Sequence, residues 1–213
     1  MSPLYAIVDV DVCARAGRAA ADVARDYLAG GARLLQVRAK QLASGAFLQL
    51  VDDVAAQARA TGATVIVNDR VDVAAAAGLG VHLGQDDLPV AAARAMLGPR
   101  ALIGLSTHTA AQLTSALRQP VSYVAFGPVF VTGTKANPDP VVGLNGLAAA
   151  ARAAQAAGVP LVAIGGITLA TSASVLGAGA ASVAVIADLL AGPEPPAARV
   201  RQFIQALDGG QPV

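Results

Sequence analysis

Tyr123-Val124-Ala125-Phe126-Gly127-Pro128-Val129-Phe130-Val131-Thr132-Gly133-Thr134-Lys135 is an apolar, β-branched and aromatic run that breaks at Gly127-Pro128 and ends in two hydroxyls, a glycine and an ammonium. It reads as a buried strand feeding a polar loop. The loop suits a phosphate or diphosphate oxygen, and it equally suits an ordinary polar turn. What decides the fold is that the pattern repeats. Short β-rich runs are predicted at 4–8, 34–37, 64–67, 81–83, 102–103, 123–126, 161–164 and 182–186. Ala-rich helical segments lie between them, at 17–29, 46–60, 71–77, 89–97, 110–118, 145–157, 169–177 and 195–207. Ser44 and Asn145 are N-capping candidates, and Pro195-Pro196 suit the first turn of the last helix.

Eight β–α units within 213 residues, with no low-complexity linker, predict an α/β protein: a (β/α)8 TIM barrel in a single domain. An open doubly wound sheet is the alternative. The barrel is expected over residues 1–208, with 209–213 a loose C-terminal tail. The strands are nearly continuous in apolar residues, as expected when helices and lumen cover both faces.

Composition narrows the function. Apolar residues make up 55% and charged ones 14%, enough for a large core, while aromatics at 3% argue against stacking platforms for single-stranded nucleic acid. A net charge of +1 without charge blocks excludes a polybasic footprint. Cys13 is the only cysteine, so no intrachain disulfide or Cys-based zinc site can form. Neither an export signal nor a long uncharged apolar run is read, which predicts a cytoplasmic protein without membrane partners.

In a barrel the chemistry should sit just past the strand C-termini, where the βα loops share a rim. The second strand ends Gln36-Val37-Arg38-Ala39-Lys40, whose i, i+2, i+4 spacing puts an amide, a guanidinium and an ammonium on one face. Such a face fits an anion, or a solvated basic turn. The third ends Asn68-Asp69-Arg70, and the fourth runs into His82-Leu83-Gly84-Gln85-Asp86-Asp87. Carboxylates on neighbouring strands suit Mg2+ bridged to phosphates, although Asp86 or Asp87 equally suits a helix cap. Asp72 reads as a first-turn helix residue. The fifth strand ends Gly104-Leu105-Ser106-Thr107-His108-Thr109, where Ser106 can meet a ligand and Thr107 or Thr109 can cap. His82 and His108 lack metal-ligand spacing and fit hydrogen-bonding roles. Gly165-Gly166 after the seventh strand, with Ile186-Ala187 after the eighth, matches the usual barrel phosphate position. The rim thus offers two anion sites and no nucleophilic triad or zinc motif, which points to two phosphorylated small-molecule substrates.

These strand-end motifs, together with Leu4-Tyr5-Ala6-Ile7-Val8-Asp9, resemble the thiamine-phosphate synthase family along nearly the whole chain. The resemblance implies a (β/α)8 enzyme that joins a hydroxymethylpyrimidine diphosphate to a thiazole phosphate, giving thiamine phosphate and diphosphate. It implies that Gln36, Arg38, Lys40, Asn68, Ser106 and Lys135 bind the pyrimidine diphosphate, that Val37 and Ala39 between them also bind substrate, and that Arg38, Lys40, Ser106 and Lys135 form the catalytic set. Asp69 and Asp87 would hold Mg2+, and Thr132, Gly133, Thr134, Gly166, Ile186 and Ala187 would receive the thiazole phosphate. The chain departs from the family at the eighth strand tip, where relatives often carry serine and this chain has Ala184 and Ala187. A thiazole tautomerase of the same fold is the rival enzyme, but those relatives tend to carry histidine where this chain has Pro128. A non-catalytic barrel that binds thiamine precursors is the other rival, and it has no need of two phosphate sites and a metal pair. The oligomeric state stays open, with a homo-oligomer admitted.

Overall fold

A computed structural model describes residues 1–133 and 139–209. Its elements run β1 Leu4–Asp9, α1 Val10–Arg15, α2 Ala20–Ala29, β2 Leu34–Arg38, α3 Ser44–Thr61, β3 Thr64–Asn68, α4 Val71–Ala77, β4 Gly80–Leu83 and α5 Val90–Leu97. They continue with β5 Ile103–Thr107, α6 Ala110–Ala116, β6 Tyr123–Phe126, α7 Gly143–Ala156, β7 Leu161–Ile164, α8 Leu169–Gly177, β8 Ser182–Val185, a 3-10 turn Ala187–Leu190 and α9 Pro196–Asp208. Every strand pairs in parallel with the next, and β8 closes on β1 through Leu4 opposite Val183, so the sheet is a closed barrel in chain order. The expected architecture is therefore the observed one, and the open sheet is excluded.

Strand alternation sorts the apolar residues into two separate cores. One set, including Leu4, Val8, Leu35, Val37, Val67, Val81 and Val183, faces outward and packs under the helices. Each such fully buried Val or Leu contributes on the order of 1.5–3 kcal/mol. The other set, Tyr5, Ile7, Leu34, Ile66, Tyr123, Ala125, Val162 and Ala184, fills the lumen. This second core is small, and it forms the floor of the rim.

Several boundaries differ from the sequence expectation. β5 spans Ile103–Thr107, whereas 102–103 was expected, because Ser106 and Thr107 continue the ladder opposite Ala125 and Phe126 despite their hydroxyls. The helix expected over 17–29 begins only at Ala20, as α2, because Gly17 with a φ of 67° turns the chain after a separate helix, α1, that the sequence reading did not anticipate. Neither expected cap operates. Ser44 is the first residue of α3, preceded by Ala43 at the cap position, and its hydroxyl accepts from Arg70 at 2.7 Å. Asn145 sits inside α7, which starts at Gly143. Thr109 caps α6 by accepting from Gln112 N–H, while Thr107 is buried and donates to the Ala125 carbonyl at 2.8 Å. Pro195 and Pro196 open α9, and Asp72 lies in the first turn of α4, as expected. Among the described residues no helix is long and apolar enough to cross a membrane. Of the expected tail, residues 210–213 lie outside the described residues.

Candidate active site

A cleft of about 750 Å³ opens at the C-terminal rim, floored by the lumen residues Tyr5, Ile7, Ala125, Val162 and Ala184. It lies where the closed barrel gathers its strand ends, and most of the sequence-derived candidates line it. Gln36, Arg38 and Lys40 enter from β2, Asn68 and Asp69 from β3, Asp87 from the loop after β4 and Ser106 from β5. Thr132, Gly133, Gly166, Ile186 and Ala187 border it from the loops after β6, β7 and β8. Val37 and Ala39 do not line it. Alternation turns them outward, and both pack with the helix-side core. Thr134 and Lys135 lie outside the described residues.

Each cation on the β2 side is already held by an acid. Arg38 donates to Asp9, a carboxylate only 2% exposed at the end of β1, and the other Asp9 oxygen accepts the Val12 N–H at 2.9 Å to cap α1. Lys40 Nζ reaches Asp69 Oδ2 at 2.5 Å. Asp69 has a left-handed backbone, φ 60°, which among the described residues no other non-glycine residue shares. Such backbone costs on the order of 1–3 kcal/mol and persists where the surroundings enforce it. Here the enforcement is an Asp69 N–H bond to the His82 carbonyl at 2.8 Å and an Arg70 N–H bond back to Asn68 at 2.7 Å.

Asp87 does not cap α5, whose cap position is Pro89. Its carboxylate instead accepts the Gly84 N–H at 2.7 Å and closes the turn after β4. Burial raises its pKa, the Gly84 N–H opposes that shift, and the neighbouring Asp69 carboxylate adds to it. Two adjacent carboxylates, one of which resists ionisation beside the other, form the oxygen donor set that a hard divalent cation relieves. No group of three or more His, Cys, Asp or Glu suited to a metal exists among the described residues. A cation held by this pair would therefore draw its remaining ligands from water and from substrate phosphate.

Opposite this cluster in the ring stand β7 and β8. Gly165 and Gly166 have φ of 101° and 65°, and a Cβ on Gly166 would stand 2.4 Å from the Val131 carbonyl oxygen. Their smallness lets the loops after β6 and β7 join backbone to backbone, with Val129 N–H on Ile164 O and Phe130 N–H on Gly165 O, both at 2.9 Å. At the β8 tip, Asp188 accepts from Leu169 N–H at 3.0 Å and Arg199 at 2.7 Å, which fixes the 3-10 turn between α8 and α9. Ala187 starts that turn, so this corner presents backbone where a serine would add a hydroxyl.

Beneath the rim a buried chain of polar side chains crosses the lumen. Gln36 Nε2 donates to Tyr5 Oη at 3.0 Å, and Tyr5 Oη meets Tyr123 Oη at 2.9 Å. Tyr123 Oη meets His82 Nδ1 at 2.9 Å, and His82 Nε2 meets Ser106 Oγ at 2.8 Å. Burial pushes the His82 pKa down to about 4, so its imidazole is neutral at pH 7. His108 lines the cleft through another contact set, with its Nδ1 2.6 Å from the Gly127 carbonyl oxygen and 3.5 Å from Asp139. Asp9, Tyr5 and Tyr123 were not among the sequence-derived site residues. Asp9 carried a usable signal, as an acid directly after a strand, whereas the tyrosines looked like ordinary core.

Comparison with known proteins agrees with the barrel fold. The family model described as thiamine monophosphate synthase matches residues 4–189. A thiamine-phosphate synthase of Koribacter versatilis is 45% identical over 207 residues, 96% of this chain and 95% of that one. Its counterpart from Anaeromyxobacter dehalogenans is 48% identical over 180 residues, 84% and 79% of the two chains. Among solved structures, thiamine phosphate pyrophosphorylase from Pyrococcus furiosus superposes with a TM-score of 0.86 at 28% identity, covering 98% of this chain and 96% of that one.

Proposed function

The chain belongs to the thiamine monophosphate synthase family, and from that premise we propose how its rim divides the work of coupling two phosphorylated halves. The enzyme is a transferase of thiamine biosynthesis. It joins 4-amino-2-methyl-5-(diphosphomethyl)pyrimidine to 4-methyl-5-(2-phosphoethyl)thiazole, or its carboxylate form, and releases diphosphate. The observation that carries the division is the placement of Arg38, Lys40, Asp69 and Asp87 at and just past the ends of β2 to β4, across the ring from the glycine pair and the β8 turn.

On the first side, Arg38 and Lys40 receive the diphosphate, with Lys135 joining them on the family resemblance. Asp69 and Asp87 would hold Mg2+, which would supply neutralisation of leaving-group charge. Gln36, Asn68 and Ser106 orient the pyrimidine. On the second side, Thr132, Gly133, Thr134, Gly166 and the Ile186-Ala187 backbone take the thiazole phosphate. Scission of the C–O bond sends its electron pair to diphosphate and leaves a methylene cation stabilised by the aminopyrimidine. The thiazole nitrogen lone pair then forms the C–N bond. That nitrogen carries no proton, so no general base is required. The protein contributes positioning and charge stabilisation, in keeping with a rim that gathers cations and hydrogen-bond donors.

A tautomerase has no use for the diphosphate side, and the matched relatives carry the synthase name. A cytoplasmic enzyme acting on soluble phosphorylated substrates fits the same reading. The test mixes purified protein with both phosphorylated halves, with and without Mg2+, and measures thiamine phosphate. Mg2+-dependent product is expected, and its absence under every condition rejects the assignment.

A further inference from the structure

The chain of hydrogen bonds through the lumen has a direction, and the direction is set at one end. Gln36 places Nε2 on Tyr5 Oη, so Tyr5 receives a hydrogen there and has its own left to give. Among the described residues the other partner of Tyr5 Oη is Tyr123 Oη. Tyr123, accepting from Tyr5, must donate to His82 Nδ1. The neutral imidazole then carries its proton on Nε2 and donates it to Ser106 Oγ. At the two ends this leaves complementary groups facing the cleft: the Gln36 Oε1 acceptor, and the Ser106 hydroxyl hydrogen, free to donate.

We propose that Tyr5, Tyr123 and His82 are positioning residues that fix this polarity, presenting Gln36 as an acceptor and Ser106 as a donor to an aminopyrimidine diphosphate. The proposal rests on the coupling reaction above for the identity of the ligand. An exocyclic amino group donates, and ring nitrogens and diphosphate oxygens accept, so the substrate matches both ends. A 4-oxo analogue offers an acceptor where Gln36 also presents one, and is disfavoured. The lumen is built to house the chain. Tyr5 and Tyr123 are each 1% exposed and His82 6%. The tyrosine rings meet edge to face at 6.0 Å, and His82 stacks on Tyr123 at 5.5 Å. Gly104 leaves the space, since a Cβ there would stand 2.1 Å from Tyr123 Cζ and 2.5 Å from His82 Nδ1. An aliphatic lumen would fill the same volume without three buried polar groups that, among the described residues, pair through their side chains with one another and the two rim residues.

Imidazole-nitrogen NMR of the full-length protein tests the direction directly. The chain has two histidines, and His108→Gln assigns the signals. His82 is expected as a single tautomer, with Nε2 protonated and Nδ1 bare. Tyr123→Phe should give a mixture of tautomers and reduce kcat/KM for the pyrimidine diphosphate about tenfold, the effect of one buried hydrogen bond. Tyr5→Phe should leave the tautomer unchanged, because Tyr123 still donates to His82, yet lower the preference for the amino substrate over its 4-oxo analogue about tenfold. KM for the thiazole phosphate should stay constant in both. A proton on His82 Nδ1, a mixed wild-type tautomer, or an unchanged tautomer in Tyr123→Phe overturns the proposal. The NMR result does not depend on turnover, so a chain without the expected tautomer and an enzyme without the expected reaction are told apart.

Discussion

One oxygen of the Asp9 carboxylate holds the Arg38 guanidinium while the other accepts the Val12 N–H at 2.9 Å, so a single buried acid starts a helix and aims a cation into the cleft. Asp9→Asn keeps the shape and an acceptor for the cap but removes the charge opposite Arg38. It should reduce kcat/KM for the pyrimidine diphosphate about tenfold or more with a small stability loss, whereas Asp9→Ala should also cost about 1 kcal/mol for the lost cap. Steady-state kinetics and thermal melts on the two variants separate these effects.

The Asp69 and Asp87 pair predicts a metal phenotype. Asp69→Ala should raise the Mg2+ concentration for half-maximal rate about tenfold or more, because a carboxylate ligand is lost and Lys40 loses its partner. An unaltered Mg2+ titration removes Asp69 from the metal site.

Gly166 faces the other substrate. Alanine there meets both a φ of 65° and the Val131 carbonyl oxygen at 2.4 Å, so the loops after β6 and β7 must part. Gly166→Ala should destabilise by about 1–2 kcal/mol and raise KM for the thiazole phosphate, with KM for the pyrimidine diphosphate little changed. An equal rise for both substrates contradicts the division of the rim.

His82 predicts a pH effect on stability. Its folded pKa of about 4 lies below the ordinary 6.5, so between those values the unfolded chain binds the proton and the folded one does not. Stability contributed by this group is therefore present above pH 6.5 and lost as pH falls towards 4, by on the order of 3 kcal/mol in all. Denaturant titrations across that range should show a shallower slope with pH in His82→Asn than in the wild type.

Lys135 is the cation that ends the run Thr132-Gly133-Thr134-Lys135. Lys135→Ala should slow the single-turnover chemical step more than it weakens thiazole binding, since the lost cation is assigned to the departing diphosphate. Unchanged single-turnover rates assign that role elsewhere.

The sequence by itself determined the barrel, because strand and helix periodicities are local and eight strand–helix units leave little alternative to closure. It also placed chemistry at the strand ends. Gln36, Arg38 and Lys40 reach the cleft because residues two apart on a strand share a face, and the same rule sends Val37 and Ala39 outward. Caps were less legible. Ser44 has the right chemistry, but its hydroxyl is taken by Arg70 from another βα unit. What only the tertiary structure decided was partnership: Asp9 with Arg38, Asp69 with Lys40, and Tyr5 with Tyr123 across 118 residues. A side chain's periodicity says which way it points, but its partner is set by how strands register and close around the ring. Tyr5 and Tyr123 therefore read as core in the sequence and become the middle of a directed hydrogen-bond chain only when β1 and β6 face one lumen.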